Sequence, residues 1–482
     1  MGLRWFKTSL QLQSIDSFMR MDVKFHKSID FSNWNLFNAK SIELEEFKDI
    51  FTPYYENFDY QDKVYKGIPT GREYLDEFGD IISYQEVTFD DHPGRLKYKA
   101  DNDCLLLSSL RGARTPALNF QFDLTDYVFS NGFYIFKIKE KGWDKRFILN
   151  LLRTNKIKDL FDNSIYRGIG ISSYREDDFL KIKIPKLPLP TQRRVVEQIT
   201  PIEQEIHTLK KKKVSKLDII NNVFGEEFGY TQNDCNRFGK GMTAGSQKFV
   251  NRKPVVYKCG FSSLNKSRTI RFSTRYNNPN SQYFYNLLYQ KPTIKISNVI
   301  NDIVKGIQPE YDTSGDIPVV KIANLKNDSI DLENPEFISL SSFEKLGKEM
   351  NLIKNDVIFC CTGKCSLGKI DIVDFDNDAI LSVDSYCLRI NDQKYNPYFF
   401  TYFFRSILGT IQFERDYTGT TNQIHLYEEQ ILDFDIPDIS LEKQSEIVSK
   451  IEQRISAQKE IDDKIESKRQ EISKLIENIM EY

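Results

Sequence analysis

The residues able to carry chemistry in this chain are few and scattered. There are seven cysteines and four histidines. Cys360, Cys361 and Cys365 stand close together, but no cysteine or histidine partner follows at zinc-site spacing, and a tetrahedral site needs four such ligands. His26, His92, His207 and His425 form no HxH or HxxxH pair. The reading that remains is reduced, mostly buried thiols and no metal centre. Asn396-Pro397-Tyr398-Phe399 has the outline of an adenine-methylating Asn-Pro-Pro-Tyr/Phe loop but lacks the second proline. It reads better as a helix start with proline in the first turn. Pro437-Asp438 opens like a nuclease motif, yet Glu442-Lys443 lacks the residue that separates metal ligand from lysine. No GxxxxGK[ST] phosphate loop occurs. No covalent chemistry is expected of the chain itself.

Charge is the stronger signal. The 482 residues carry 67 Lys and Arg against 69 Asp and Glu, a net charge of −2, which does not mark a generic nucleic-acid binder. The average hides an asymmetry. From Arg237 to Ile300 there are twelve cations and no carboxylate, with Tyr257, Tyr276, Tyr283 and Tyr285 among them. Such a stretch attracts a polyanion, and its amides and phenols can bond phosphates or bases. Hydrophobic residues at 40%, charged at 28% and aromatic at 13% describe a folded chain long enough for two to four domains of roughly 100–200 residues each. No apolar run reaches the ~20 residues of a membrane span, and the first residues lack an apolar signal block. A cytoplasmic protein is expected.

The elements that must position these residues are written twice. IPKLPLPTQRRVVEQI (184–199) returns as IPDISLEKQSEIVSKI (436–451), an offset of 252 residues, and Phe147 and Arg153 map at that offset to Phe399 and Arg405. RMDVKFHK from Arg20 meets RFSTRYNN from Arg271 at an offset of 251, and DCLLLSSLRGA from Asp103 meets DVIFCCTGKC from Asp356 at 253. A tandem duplication explains four blocks in one order at one spacing. Each unit is then a mixed α/β region followed by a long helix. Short β-rich runs such as 317–322, 357–359 and 133–138 are separated by Gly, Asn and Asp turns, while the aromatic block 399–404 reads as a buried helix.

The first long helix is expected to be capped by Thr191, with Val195, Ile199, Ile202, Ile206 and Leu209 at coiled-coil spacing and Pro201 interrupting. The second is expected to be capped by Ser440, with Ile447, Ile451, Ile461, Ile465, Ile472, Leu475 and Ile479 along one stripe. Neither stripe can stay in water, so the rods pair with each other or with a partner. Lys210–Lys213 reads first as a solvated helix face and second as a DNA-backbone contact.

The pattern resembles the specificity subunit of type I restriction–modification enzymes. The linkers IPKLPLPTQRRVVEQI and IPDISLEKQSEIV are similar to that family's Ile-Pro-x-Pro-x-x-x-x-Gln lead into each helix, and GDIPVVKIANL (315–325) and GTTNQIHL (419–426) fall in the expected order. Three features depart from it. Asn102 and Asn355 replace a customary glycine, RGIGIS (167–172) only loosely matches GTTNQI, and Ser440 stands where proline is common. The resemblance implies two target-recognition domains that read the halves of an asymmetric, split DNA site, with two helices pairing as an antiparallel coiled coil. It also implies two methyltransferase subunits docked on the helices, and restriction subunits joining that core. S-adenosylmethionine would sit on the methyltransferase, ATP and Mg on the nuclease/translocase, and no cofactor on this chain.

The organisation expected is an α+β chain. Target-recognition domain 1 takes 1–190, a central spacer helix 191–224, domain 2 225–437 (with 225–237 a linker), and the C-terminal spacer helix 438–482. Base readers should be long or amide side chains on loops, arginine for guanine and Asn or Gln for adenine. Arg72, Arg111, Arg114 and Arg167 are the candidates in the first domain, and Asn324, Lys326, Lys364, Thr421 and Gln423 in the second. Arg271 and Arg275 are candidate phosphate contacts. Two alternatives stay open at this point: a coiled-coil scaffold with an incidental basic surface, and a stand-alone DNA methyltransferase or nuclease.

Overall fold

The computed structural model describes residues 43–70, 74–75, 80–89, 93–108, 117–118, 124–139, 142–160, 176–180, 183–238, 277, 279–333, 335–363, 366–419 and 424–481. They fall into two compact units. The first lies within Met1–Lys212 and Ile461–Tyr482, the second within Lys213–Glu460.

In the first unit, β1 (Glu43–Glu46), α1 (Phe47–Ile50), β2 (Phe51–Pro53), β3 (Tyr65–Ile68), β4 (Gln85–Val87) and β5 (Leu96–Tyr98) come in order. They lead to β6 (Cys104–Ser108), β7 (Ala117–Leu118), β8 (Tyr127–Ser130) and β9 (Phe133–Ile138). Next are α2 (Lys145–Leu152), α3 (Asn155–Leu160), α4 (Glu176–Leu180), β10 (Lys183–Lys186) and α5 (Leu189–Lys211). Two four-stranded sheets result, ordered β2-β9-β6-β7 and β4-β3-β8-β5, while β1 and β10 pair separately. Strand β6 is apolar without alternation because it is covered on both faces. Leu105 and Leu107 join Phe136, Phe147 and Leu151 in a core on the helix side. Cys104 and Leu106 face Ile68, Phe129 and Ile135 on the other.

The second unit contains α6 (Lys216–Phe228), α7 (Gln232–Phe238), α8 (Pro279–Leu288), β11 (Thr293–Lys295), β12 (Ile300–Lys305), β13 (Ile317–Val320) and β14 (Glu336–Ile338). It continues with α9 (Leu340–Leu346), β15 (Val357–Cys360), β16 (Ile370–Ile372), β17 (Ile380–Leu381) and β18 (Ser385–Ile390). Last come α10 (Pro397–Arg405), α11 (Ile407–Asp416), α12 (Glu428–Leu432), β19 (Asp435–Pro437) and α13 (Leu441–Glu481). Its sheets are β12-β18-β15-β16 and β14-β13-β17, with β11 and β19 paired separately. Strand β15 is again shared between two cores: Val357 and Phe359 pack with Phe399, Phe403 and Phe413, and Ile358 and Cys360 with Val320, Leu325 and Leu381.

The duplication extends to hydrogen-bond register. Gly67 and Ile68 pair in parallel with Val128 and Phe129, and Val319 and Val320 pair in parallel with Ile380 and Leu381. Every one of these residues is displaced from its counterpart by the same 252 positions as the linkers. The expected α+β duplication, each mixed region followed by a long helix, is the architecture found.

The long helices need two corrections of detail. Helix α5 begins at Leu189, two residues before Thr191, with Pro188 at its N-cap and Pro190 in its first turn. Proline lacks only an N–H that the first turn leaves unbonded anyway. The helix runs on through Pro201 to Lys211. After a Lys212–Ser215 turn a separate helix starts, its Asp218 N–H capped by Ser215 Oγ at 3.0 Å, where the pattern suggested one rod over 191–224. Ser440 does cap α13, accepting from the Lys443 N–H at 3.3 Å. Within the first unit, Ile465, Ile472, Ile476 and Met480 of α13 are buried with Ile199, Ile202 and Ile206 of α5. Each such side chain contributes about 1.5–3 kcal/mol through burial. Within the second, Ile447, Val448 and Ile451 pack on the core that holds Phe224 and Phe399. Lys468 bonds Glu205 at 2.9 Å and Gln458 accepts from the Val214 N–H at 2.8 Å.

Candidate nucleic-acid interface

In the second unit three connections meet. The β13–β14 connection closes on itself through the Leu325–Ile330 bridge and the Asp331 N–H to Asn324 O bond at 2.9 Å. The second is the tip of the β15–β16 hairpin. Its Gly363 N–H donates to Ile424 O at 3.0 Å, on the third connection, between α11 and α12. There Thr418 and His425 exchange backbone hydrogen bonds at 2.8 and 2.9 Å, and the Leu426 N–H reaches Cys361 O at 2.9 Å. Lys369 Nζ donates to Leu325 O at 3.3 Å and ties the hairpin back to the first connection. The described flanks of the Lys364 segment and of the Thr421–Gln423 segment are therefore hydrogen-bonded to each other.

A buried charge pair fixes this arrangement from behind. Arg405, at the end of α10, donates from Nη2 to Asp371 Oδ1 at 2.5 Å and from Nε to Ile370 O at 3.0 Å. Asp371 is fully buried. Its Oδ2 accepts from the Asn327 N–H at 3.0 Å, and Asn327 Oδ1 accepts from the Ile370 N–H at 2.9 Å. Asn327 has φ of 57°, a left-handed conformation that Asn tolerates better than most residues. Burial pushes the Asp371 carboxyl up to about 6 against the pull of Arg405, which leaves it ionised and paired at neutral pH.

The first unit has its own charge centre. Asp80 is held by Arg153 at 3.3 Å, by Arg469 at 2.9 Å and by Lys210. Burial alone would raise its carboxyl, but the three cations together outweigh that and hold it well below the ordinary carboxylate range. Asp80 sits in the β3–β4 connection beside the Leu75–Ile81 bridge.

Of the residues singled out in the sequence, Asn324 and Lys326 are described and lie together in the β13–β14 connection. Both are already engaged. Asn324 Oδ1 accepts from the Lys321 N–H at 2.8 Å and its Nδ2 donates to Asp331 O at 2.7 Å. Exposed Lys326 donates to Ala323 O at 2.7 Å and lies 3.5 Å from Asp331. Arg72, Arg111, Arg114, Arg167, Arg271, Arg275, Lys364, Thr421 and Gln423 lie outside the described residues, as does most of the basic stretch. Two of its lysines are described and face carboxylates: Lys291 is 3.7 Å from Glu227 and Lys295 is 3.0 Å from Asp435. Asp80, Asn327 and Asp371 were not anticipated. Arg153 and Arg405 carried a signal, being equivalent in the repeat.

The rejected chemical motifs prove to be structural. Asn396 Oδ1 caps α10 by accepting from the Tyr398 and Phe399 N–H groups at 2.9 and 3.1 Å. Pro437 belongs to β19 and its carbonyl accepts from the Tyr395 hydroxyl at 3.0 Å. Cys360 and Cys361 are free and buried, and burial pushes their thiols up to about 12 and about 11. Such thiols stay protonated and unreactive. Among the described residues no His, Cys, Asp and Glu group is arranged to hold a metal ion, and no helix is long and apolar enough to cross a membrane.

Comparison with known proteins places these connections. Among solved structures the chain is similar to the HsdS subunit from Thermoanaerobacter tengcongensis (15% identity, 92% of this chain and 96% of that one, TM-score 0.33). It is similar also to the S subunit of a type I restriction-modification system from M. genitalium (11% identity, 91% and 96%, TM-score 0.35). A chain from a study of complex assembly and conformational transition of the type I R-M system gives 14% identity, 92% and 97% coverage and a TM-score of 0.38. No curated protein matches the chain. Residues 301–468 match the family model of the type I restriction modification DNA specificity domain. That span runs from β12 into α13 and contains all three converging connections. Over residues 301–468 the chain is thus similar to the type I restriction modification DNA specificity domain, the family that its repeated linkers resemble.

Proposed function

We propose that this chain is the DNA-sequence-recognition subunit of a type I restriction–modification complex. Each unit reads one half of an asymmetric bipartite site, and the paired helices dock two methyltransferase subunits, with restriction subunits joining that core. The chain supplies sequence recognition, and its partners supply S-adenosylmethionine, ATP and Mg. The observation that carries this reading is the repeated register. Residues 301–468 match a specificity-domain model, and the parallel pairing Val319–Ile380 recurs 252 residues earlier as Gly67–Val128. A duplicated fold with strongly diverged sequences suits two different half-sites, since a symmetric site would need two similar readers. Arg72, Arg111, Arg114 and Arg167 in the first unit, and Asn324, Lys326, Lys364, Thr421 and Gln423 in the second, are proposed base readers. Arg271 and Arg275 are proposed phosphate contacts.

The test is co-expression with the neighbouring methyltransferase followed by mapping of N6-methyladenine on host DNA. A two-part motif with a constant gap is expected, methylated once in each half. Methylation without a two-part motif, or none at all, would overturn the reading.

A further inference from the structure

We propose that Arg153 and Arg405 are positioning residues for half-site reading, each fixing the connection that leaves the first strand of its unit's second sheet. The inference rests on the function proposed above. The two arginines are one position of the repeat, 252 residues apart, at the C-terminal ends of α2 and α10. They reach the same connection by different chemistry. Arg153 grips Asp80 of the β3–β4 connection directly, at 3.3 Å. Arg405 grips Asp371 at 2.5 Å, and Asp371 takes the Asn327 N–H of the β13–β14 connection at 3.0 Å.

Each connection has a second tie to the helical region of its own unit. Asp80 also binds Lys210 of α5 and Arg469 of α13. Asp328, next to Asn327, binds Lys216 in the first turn of α6 at 2.5 Å. Stability does not explain this. A buried Arg–Asp pair is no better than a well-packed apolar pair of similar volume, because desolvation offsets the attraction. Orientation does explain it. A guanidinium fork and a carboxylate meet in few geometries, and here they set where the backbone of a loop begins and ends. Asn324 and Lys326, immediately before Asn327, are carried by that anchor.

The experiment uses the full chain in its complex with methyltransferase subunits, reading the methylated motif from a randomised DNA library by N6-methyladenine mapping. Arg153→Met and Asp80→Asn should relax base discrimination about tenfold or more in one half-site only. Arg405→Met and Asn327→Gly should relax it in the other. The gap should stay constant in all four. Asn327→Gly keeps the left-handed turn but removes the Asn327 Oδ1 bond to the Ile370 N–H that ties the connection to β16, and Asp80 is partly exposed, so these two variants loosen the ties without cutting the core. Relaxation of both halves together by any one variant would overturn the proposal. So would an unaltered motif in Asp80→Asn and Asn327→Gly, which is what a purely structural role predicts. Failure of the functional reading is told apart because it would show in the unaltered chain, as the absence of any two-part motif.

Discussion

Gln192 and Gln444 make the same hydrogen bonds, one in each repeat. Gln192 Oε1 accepts from the Asp144 N–H at 2.8 Å and its Nε2 donates to Leu187 O at 2.7 Å. Gln444 Oε1 accepts from the Asn396 N–H at 2.7 Å and its Nε2 donates to Ile439 O at 2.8 Å. Asp144 and Asn396 are the N-caps of α2 and α10. Each glutamine thus locks the start of a long helix to the start of the short helix packed on it. The glutamine of the repeated linker is therefore a fully buried joint, not a surface residue.

That joint is testable by deletion. Gln444→Ala leaves a part-buried N–H and a part-buried carbonyl without their protein partner, at a cost of about 1–3 kcal/mol. Gln192→Ala should cost about as much in the first unit. Urea unfolding followed by residue-resolved hydrogen exchange would assign each loss to its own unit. An effect below about 0.5 kcal/mol, the range of ordinary surface substitutions, would show that the side chain carries no structural role.

Asp80 carries a pH dependence. Its carboxyl is held below the ordinary value of about 3.9 in the folded chain. A depressed carboxylate contributes stability that is complete above the unfolded value and lost as pH falls through the folded one. Asp80→Asn should therefore weaken the first unit at pH 7 and leave the difference from the unaltered chain shrinking below about pH 4. Because Asp80 is 36% exposed, solvent limits the loss at neutral pH to about 1–2 kcal/mol. Denaturant midpoints of both proteins between pH 3 and pH 7 decide the matter, and a gap that widened in acid would contradict it.

Asn355 explains one departure from the family pattern. It stands where a glycine is usual, and its φ is 73°. Its N–H donates to Val373 O at 2.9 Å, which closes the turn ahead of β15. Glycine reaches that conformation freely and Asn with modest strain. Asn355→Gly should leave stability within about 0.5 kcal/mol, while Asn355→Ala should cost about 1–2 kcal/mol. Thermal or urea unfolding of the two variants side by side is the measurement. Asn102, its equivalent in the first unit, is not among the described residues with positive φ, so Asn102→Ala should be milder.

Much of this molecule is legible along the chain because the determinants are local. The stripe from Val195 to Ile206, the Ser440 cap and the proline after Asn396 each act over one or two helical turns, so spacing alone reveals them. The unbroken apolar runs Cys104–Leu107 and Val357–Cys360 likewise report strands covered on both sides. The duplication follows from comparing such local signals at a distance of 252 residues. The start of α5 was misplaced by two residues because Pro190 reads as a boundary, although the first turn accepts it.

Partner choice is another matter. Asp80 finds Arg153, Lys210 and Arg469, and Asp371 finds Arg405 and Asn327, across separations with no periodicity to betray them. A carboxylate in a polar loop looks the same in sequence whether water or three cations surround it. Local propensity and patterning wrote the elements and their order into the chain. Which charges meet behind the loops was decided only when the two halves of each unit closed on a shared core, since that closure sets both the distance and the dielectric in which those charges act.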